Sequence, residues 1–307
     1  MSNLVVEALI SAGRRYIRYA PGSLAKAPLA ARILNPLLRD FPRQEIVRSA
    51  DGVKYLVDTR DLIQRYIYMF GVWEPHLTCW LRRRLQPGDT FVDVGANVGY
   101  FSLLAARLVG ADGQIAAVEA SPLFHRRMLE QLELNGFRNV RAVNAAVADV
   151  QKELTFTLAS SHNLGANSIV PYDGAIESSF SIDASPLPDV LTLAEIVTAR
   201  LIKIDVEGAE GAVVRGMSSM IGELRDDAEI AVEVDPQRMA KLGDSVDELL
   251  STFSEYGFHP YRLVNDYSPA SYPVALRCPL PWPERLRGPI TAETEVLFSR
   301  IDADRLS

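Results

Sequence analysis

Cysteine, long apolar runs and the basic start of a secretory signal are scarce or missing in this 307-residue sequence, and each shortage excludes something. Cys79 and Cys278 are too few for a disulfide framework and do not have the spacing of a metal site. The first ten residues lack the basic region of a secretory signal, and Glu7 interrupts their apolar run. No stretch approaches the roughly 20 apolar residues of a membrane span. We therefore expect a cytoplasmic protein with reduced cysteines and no transmembrane segment.

Positive charge is also in the minority, since 32 basic residues face 39 acidic ones and the net charge is −7. That balance argues against nucleic acid as the main partner, because nucleic acid requires a basic surface. It suits a neutral or cationic ligand better, although net charge says little about any single pocket. The charge is uneven along the chain, because residues 1–45 carry +4 and leave −11 for residues 46–307.

The basic first 45 residues also show helical periodicity, with apolar residues at Leu4, Val5, Ala8, Leu9 and Ala12. We interpret residues 1–45 as a helical N-terminal extension and residues 46–307 as the main domain. The favoured hypothesis makes the extension a cap on the core or an arm in a homo-oligomer. The alternative is a helix that lies on a membrane surface, which would make the protein peripheral to a membrane.

Apolar runs alternate with helical stretches through the main domain. The runs are TFVDV (90–94), QIAAVE (114–119), VRAVNAAV (140–147), LIKID (201–205) and EIAVEV (229–234), and helical patterns follow the first two at 98–109 and 122–135. This alternation predicts an α/β fold with a doubly wound, mostly parallel sheet that carries helices on both faces.

The segments around this core carry weaker signals. Residues 46–74 begin with a hairpin pattern around Asp51-Gly52 and continue as a helix that ends near Gly71. Residues 160–189 predict a long polar loop, and Thr192 with Glu195 predicts the capped start of a helix at 193–199. ETEVLFSR near the end of the chain predicts a last strand.

The run FVDVGANVGYF places a glycine turn directly after the first strand of the core. A dinucleotide site would need a middle glycine in G-x-G-x-x-G, and here the spacing is Gly95-x-x-x-Gly99. A phosphate-binding loop would need a lysine after the last glycine, whereas Tyr100 and Phe101 stand there. The turn is therefore poorly suited to phosphates.

The same turn suits S-adenosylmethionine, which offers an ammonium, a carboxylate, a ribose diol and a sulfonium cation. Asp93 precedes the turn, where a carboxylate can receive the ammonium directly or through loop groups, and Glu119 ends the second strand, where an acid can bind the ribose diol. The candidate cofactor-binding residues are Asp93, Gly95, Ala96, Asn97, Gly99, Glu119, Ala120, Ser121, Ala146 and Asp205.

A second acidic stretch, RLIKIDVEGAEGAVVRGM (200–217), follows the same plan of a strand running into a helix. Glu207 and Glu210 lie near the start of the helix, where acids stabilise a helix terminus by up to about 1 kcal/mol. That effect does not explain Asp205, which ends the apolar strand, or Glu233, which lies near the end of the next one. Such carboxylates suit an acceptor hydroxyl or a divalent cation.

Taken in order, FVDVGANVGYFSLLAA, VEASP, LNGFRNV and LIKIDVEGAEGAVVRGM resemble the successive motifs of FkbM-type methyltransferases. The resemblance covers roughly residues 60–265. It implies a seven-stranded class I Rossmann-like fold and an S-adenosylmethionine-dependent O-methyltransferase that acts on a hydroxyl of a sugar in a glycolipid, polysaccharide or glycosylated natural product. Ala194 is a departure, because the family often has Asp there.

The candidate catalytic residues are acids and one histidine. Asp205 is the leading candidate for a general base or a metal ligand, Glu207, Glu210 and Glu233 support it, and His162 is an alternative base. Whether a divalent metal is needed stays open. Tyr261, Tyr267 and Tyr272 either line an acceptor groove or simply pack. Two rival functions are a cofactor-binding module without chemistry and an NAD-dependent oxidoreductase.

Overall fold

The computed structural model describes residues 3–159, 167–168, 176–277 and 280–307. The candidate base His162 and Cys278 lie outside the described residues. The chain divides into two compact units, one formed by Met1–Trp80 with Asn265–Pro281 and the other by most of the remainder. The hairpin and helix of residues 46–70 belong to the first of these. The division at residue 45 stays a prediction, because compactness alone does not show which segment folds independently.

The helices lie between the strands as the alternating pattern predicts. Their bounds are α1 Asn3–Tyr19, α2 Lys26–Pro28, a π-helical segment Leu29–Leu34, α3 Asn35–Asp40, α4 Leu62–Phe70, α5 Pro75–Arg84, α6 Tyr100–Val109, α7 Pro122–Asn135, α8 Leu187–Val190, α9 Leu193–Thr198, α10 Glu210–Ile221, α11 Pro236–Lys241, α12 Val246–Glu255 and α13 Tyr272–Ala275. Within the described residues, none of these helices is both long and apolar enough to cross a membrane.

The strands form three sheets. Their bounds are β1 Gln44–Arg48, β2 Lys54–Asp58, β3 Thr90–Val94, β4 Gln114–Glu119, β5 Val140–Asn144, β6 Ala146–Val147, β7 Lys152–Ala159, β8 Asn167–Ser168, β9 Ile176–Ser185, β10 Ala199–Ile204, β11 Glu229–Val234, β12 His259–Leu263, β13 Glu284–Arg285 and β14 Thr294–Ser299. The hairpin is β1-β2, the main sheet has the order β13-β12-β14-β11-β10-β3-β4-β5, and a small sheet has the order β6-β9-β7-β8.

Helix α1 of the first unit buries the face opposite to the predicted apolar stripe. Val6, Ile10 and Ile17 are buried, at a spacing that lies on one side of a helix. The last turn of α1 is capped by Lys26, whose Nζ donates to the carbonyl of Ile17 over 3.0 Å. The apolar stripe of α1, which we define as Leu4, Val5, Ala8, Leu9 and Ala12, is exposed throughout. The stripe is therefore not what packs α1 within the first unit, and a cap, an oligomer arm and a membrane-surface helix all stay predictions for the extension.

The main sheet of the second unit confirms the doubly wound prediction. Strands β5, β4, β3, β10 and β11 pair in parallel, and β14 and β12 extend the sheet in antiparallel fashion. The short β13 adds an eighth strand to the seven expected. After β3 the chain adds β4 and β5 on one side and then returns to place β10 on the other. Ligands in such sheets bind outside the carboxyl ends of the strands at this reversal, which here lies between β3 and β10.

Two predictions about the strands are wrong. Residues 160–189 are not one polar loop, because β9 is a ten-residue strand that pairs with β7. Its sequence alternates apolar residues with serine and aspartate. That alternation indicates a strand, even though the overall polar composition suggested a loop. Residues 140–147 are not one strand, since the chain leaves the main sheet after Asn144 and enters the small sheet at Ala146.

The three tyrosines predicted to line a groove or to pack are split between the two units. Tyr261 and Tyr272 are fully buried, so packing accounts for both of them. Tyr267 is half-buried and stacks on Trp73, with 5.4 Å between the ring centroids.

The exposed stripe of α1 generates a testable prediction. If the stripe is an oligomer contact, Leu9→Gln should lower the mass of the assembly measured by light scattering and change the free energy of unfolding by less than about 0.5 kcal/mol, because Leu9 is exposed. Its neighbour Ile10 is the matched contrast, and Ile10→Ala should cost about 2–5 kcal/mol because it leaves a cavity. An unchanged mass together with lost binding to anionic liposomes would assign the stripe to a membrane surface instead.

Candidate methyl-donor and acceptor site

The glycine turn after β3 is held open by three left-handed residues. Gly95 has φ 81°, Gly99 has φ 85° and Asn97 has φ 53°, a region that favours glycine and tolerates asparagine. The amides of Gly95 and Ala96 both donate to the carbonyl of Val118 in β4, over 2.9 and 3.0 Å. The turn is thus tied to the neighbouring strand, and its backbone borders the end of the sheet.

Gly95 also touches the backbone of the acidic stretch. A Cβ at this position would lie 1.8 Å from the carbonyl oxygen of Asp205. No residue other than glycine therefore fits unless the end of β3 or the end of β10 moves. The amide of Asp205 in turn donates to the carbonyl of Val94 over 3.0 Å. The predicted cofactor turn and the predicted catalytic acid are therefore direct neighbours.

Glu119 lies at the end of β4 and braces two turns at once. Its two carboxylate oxygens accept the backbone amides of Asn97 and Ser121, over 2.6 and 2.7 Å. Burial raises the pKa of the Glu119 carboxyl to about 7, although these two hydrogen bonds oppose the shift. Each carboxylate oxygen can accept a second hydrogen bond, so the diol of a ribose can still bind here.

Asp93 is placed less favourably for the role that the sequence suggested. The residue is 1% exposed, its Oδ2 accepts the hydroxyl of Ser102 over 2.5 Å, and its Oδ1 lies 3.9 Å from Nζ of Lys203. Burial raises the pKa of Asp93, and the charge of Lys203 opposes that shift. A direct contact with a ligand's ammonium would have to displace Lys203, so contact through loop groups is the better surviving hypothesis.

Asp205 follows β10 and presents a partly exposed carboxylate. Its side chain is 25% exposed, and Oδ2 accepts a hydrogen bond from Nζ of Lys203 over 2.9 Å. The strand register aligns Ile204 with Val232, so Asp205 lies level with Glu233 at the carboxyl edge of the sheet. The two acids thus lie at the ends of adjacent strands, and their role toward an acceptor stays a prediction.

Glu210 supports the loop after Asp205. Its Oε1 accepts the amides of Val206 and Gly208, each over 3.1 Å, and burial raises the pKa of the carboxyl to about 7. Glu210 thus acts as a cap for the loop before α10, in keeping with the helix-terminus explanation for acids at this place.

Glu207 is held differently, in a left-handed conformation with φ 56° that a glutamate rarely adopts. Its carboxylate accepts a short hydrogen bond from Nη1 of Arg238. Burial, and then the charge of Asp205, raises the pKa of Glu207 to about 8, while Arg238 opposes the shift. Strain and a raised pKa at one residue are typical of a functional site.

Arg238 also forms ion pairs with two further acids of the site. The guanidinium lies 3.1 Å from Asp235 and 3.6 Å from Glu293, measured between the nearest nitrogen and oxygen. Glu233 is 9% exposed and interacts electrostatically with both Arg238 and Glu293. Glu233 is therefore part of this cluster and does not stand alone as a base.

Lys203 and Arg238 are the two residues of the site that sequence reasoning missed. Each had a signal, because Lys203 interrupts a buried apolar strand and Arg238 follows two acids at the end of β11. A lysine inside such a strand needs a carboxylate partner, which the neighbouring strand supplies.

The other predicted cofactor residues lie at the same edge of the sheet. Ser121 caps α7 by accepting the amide of Phe124, and Ala120 is held through its carbonyl by the side-chain amide of Asn144 over 3.0 Å. Ala146 is buried in β6, two residues after Asn144. Among the described residues, no cluster of three or more His, Cys, Asp or Glu side chains has the arrangement of a metal site.

The sequence itself matches the family described as the Methyltransferase FkbM domain over residues 93–260, which is more than half of the chain. The chain belongs to the FkbM methyltransferase family. The match begins at Asp93 and includes the glycine turn, Glu119 and the acidic stretch around Asp205. FkbM methyltransferases use S-adenosylmethionine as methyl donor, so the alternative of an NAD-dependent oxidoreductase is wrong.

Other proteins are similar over shorter lengths or with lower identity. The protein-L-isoaspartate O-methyltransferase of Aeropyrum pernix is 44% identical over 69 residues, which is 22% of this chain and 26% of that protein. The same enzyme from Ignicoccus hospitalis is 32% identical over 68 residues, which is 22% of this chain and 32% of that protein. The chain thus spans between a quarter and a third of the length of these curated relatives.

Among solved structures, the FkbM methyltransferase of Methylobacillus flagellatus has 13% identity and a TM-score of 0.43, and the match covers 77% of this chain and 52% of that one. Fibrillarin of Aeropyrum pernix, solved with S-adenosyl-L-methionine bound, has 12% identity and a TM-score of 0.42, with coverage of 83% and 82%.

The glycine turn after β3 generates a prediction about binding of the methyl donor. Gly95→Ala should abolish measurable binding of S-adenosylhomocysteine, because the new Cβ must push the turn away from Asp205. Gly136→Ala is the matched control, since Gly136 also has a positive φ (68°) but nothing lies within 4 Å of its Cβ position. That control should lose only about 1–2 kcal/mol of stability and keep its affinity. Calorimetry measures both, and equal affinities in the two variants would contradict the assignment of the turn.

Glu119 provides the second prediction. Glu119→Gln should weaken binding of S-adenosylhomocysteine at least about tenfold, because losing a charged acceptor costs about 1.5–3 kcal/mol. The introduced amide group must also face one of the two backbone amides that now donate to the carboxylate. Glu133→Gln, an exposed residue near the end of α7, should leave affinity unchanged. Unaltered affinity in Glu119→Gln would place the ribose elsewhere.

Proposed function

We propose that this protein is an O-methyltransferase that transfers the methyl group of S-adenosylmethionine to a hydroxyl group of a sugar. The observation that carries the proposal is the direct contact between the cofactor turn at Gly95 and the backbone of Asp205, whose carboxylate is partly exposed beside it. A carboxylate next to the methyl donor is where an acceptor hydroxyl must lose its proton.

Bound S-adenosylmethionine supplies an activated methyl group on a sulfonium sulfur. The glycine turn and Glu119 would hold it, the first through its backbone and the second through the ribose diol. Asp205 would then accept a hydrogen bond from the acceptor hydroxyl and take its proton as the oxygen bonds to the methyl carbon and the bond from carbon to sulfur breaks. Much of the rate would come from holding the oxygen and the methyl group in line.

The acids around the site support a neutral, hydroxyl-rich acceptor. Asp205, Glu207 and Glu233 converge at one edge of the sheet with Arg238 beside them, and several carboxylates together accept hydrogen bonds from a polyol. An acceptor with its own carboxylate or phosphate would be repelled by them. Glycolipids, polysaccharides and glycosylated natural products meet this requirement, and a lipid-linked glycan would also suit a protein that binds at a membrane surface from the cytoplasm.

Glu207 is the second candidate for the base. A group with a pKa of about 8 is well matched to proton transfer near neutral pH, but its short hydrogen bond to Arg238 must open first. Glu210 holds the loop through one carboxylate oxygen, Oε1, and is better described as a positioning residue.

Asp205→Asn separates catalysis from cofactor binding. The substitution keeps the shape and removes the charge that accepts the proton, so turnover should fall by about 10²–10⁴ while the affinity for S-adenosylhomocysteine changes little. The assay follows labelled methyl transfer to glycolipids and polysaccharides of the source organism. Asp226→Asn, at an exposed residue before β11, is the matched control and should be fully active. A near-normal rate in Asp205→Asn would move the base to Glu207 or His162.

A further inference from the structure

Lys203 occupies a position where a charged side chain is costly. It lies within β10, between the apolar residues Ile202 and Ile204, and it is 3% exposed. The strand register pairs it directly with Asp93 in β3, another buried charge. A lysine is almost never buried unless it is paired with an opposite charge. The groups that contact Lys203 should therefore indicate its role.

The ammonium of Lys203 lies between the two acids of the site. Nζ is 2.9 Å from Oδ2 of Asp205 and 3.9 Å from Oδ1 of Asp93, and it also lies 5.2 Å from the ring centroid of Phe101. Oδ1 of Asp93 is buried and accepts no hydrogen bond within the described residues. The shorter contact is therefore with the partly exposed carboxylate, and the longer one is with the buried carboxylate.

We propose that Lys203 is a positioning residue that acts as the fixed cation of this site, holding the Asp205 carboxylate in place beside the cofactor turn. Its ammonium lies between two carboxylates, 2.9 Å from Asp205 and 3.9 Å from Asp93, so it supplies positive charge there as a bound cation would. The proposal rests on the proposed function, because it assigns a role relative to Asp205 in methyl transfer. It also implies that the native enzyme works without an added divalent metal.

A purely structural role gives a different expectation. If Lys203 served only to neutralise the buried Asp93, removing both charges together would restore a normal site. If it positions Asp205, removing both charges would leave Asp205 without its partner. The double variant Asp93→Asn/Lys203→Met distinguishes these roles, and it should fold even if a single substitution does not, because no buried charge is left unpaired.

The first test removes the ammonium alone. Lys203→Ala should lower turnover by about 10²-fold, the cost of a misplaced catalytic group, with little change in affinity for S-adenosylhomocysteine. Added ethylammonium or Mg²⁺ should restore part of that turnover, because either can enter between the two carboxylates. Mg²⁺ should also raise the unfolding temperature of Lys203→Ala, and neither Mg²⁺ nor a chelator should affect the native enzyme. Lys241→Ala, at an exposed lysine of α11, should behave like the native enzyme throughout.

The second test decides between the two roles. Turnover that is much lower in Asp93→Asn/Lys203→Met than in Asp93→Asn alone supports the positioning role. Normal turnover in the double variant, or a loss in Lys203→Ala that no cation rescues and no Mg²⁺-dependent stabilisation accompanies, would overturn it. The unfolding temperatures do not depend on which acceptor is methylated. A failure of the proposed function, seen as full activity in Asp205→Asn, is therefore distinguishable from a failure of the cation proposal.

Discussion

The close contact between Gly95 and the carbonyl of Asp205 is the constraint on which the site depends. It is possible because β3 and β10 are adjacent parallel strands whose carboxyl ends stop at the same level. One strand leads into the glycine turn and the other into the acidic stretch, so the reversal in strand order brings the proposed donor and acceptor sides of the site together. The absence of a side chain at Gly95 sets the distance between them.

Buried charge is the second organising feature of the site. Asp93, Glu119, Glu210 and Lys203 are nearly inaccessible, and each is held by a backbone amide, a hydroxyl or an opposite charge. Burying an unpaired charge would cost several kcal/mol, so these groups fix one another's positions. The arrangement concentrates acids with raised pKa values at the carboxyl edge of the sheet.

Sequence reasoning worked best where one local signal was sufficient. Strands β3, β4 and β11 and helix α7 have the predicted bounds, because each is an uninterrupted run or periodic segment closed by a turn residue. The capping box of Thr192 and Glu195 is present, and α4 ends at Gly71 with φ 77° as its glycine predicted. The seven-stranded core, the family and the donor follow from motifs of the same local kind.

What the sequence could not supply depends on pairing between distant segments. In the sequence, Lys203 only interrupts an apolar run. Its pairing with Asp93 becomes visible once β3 and β10 are aligned in the sheet. Glu207 and Arg238 are 31 residues apart in the chain and meet only in the folded protein. Strand β9 was missed because its polar composition hid its alternation, and its partner β7 lies beyond a long connection.

The brace formed by Glu119 has a thermodynamic consequence for ligand binding. Because its carboxylate already joins the turn at Asn97 to the turn at Ser121, little chain entropy remains to be lost when the donor binds. With a pKa of about 7, this carboxyl is only partly ionised at neutral pH, and a ribose diol that donates to it favours the ionised form. If the ribose binds Glu119 as proposed, binding should release protons, and the heat measured near pH 7 should change with the ionisation enthalpy of the buffer.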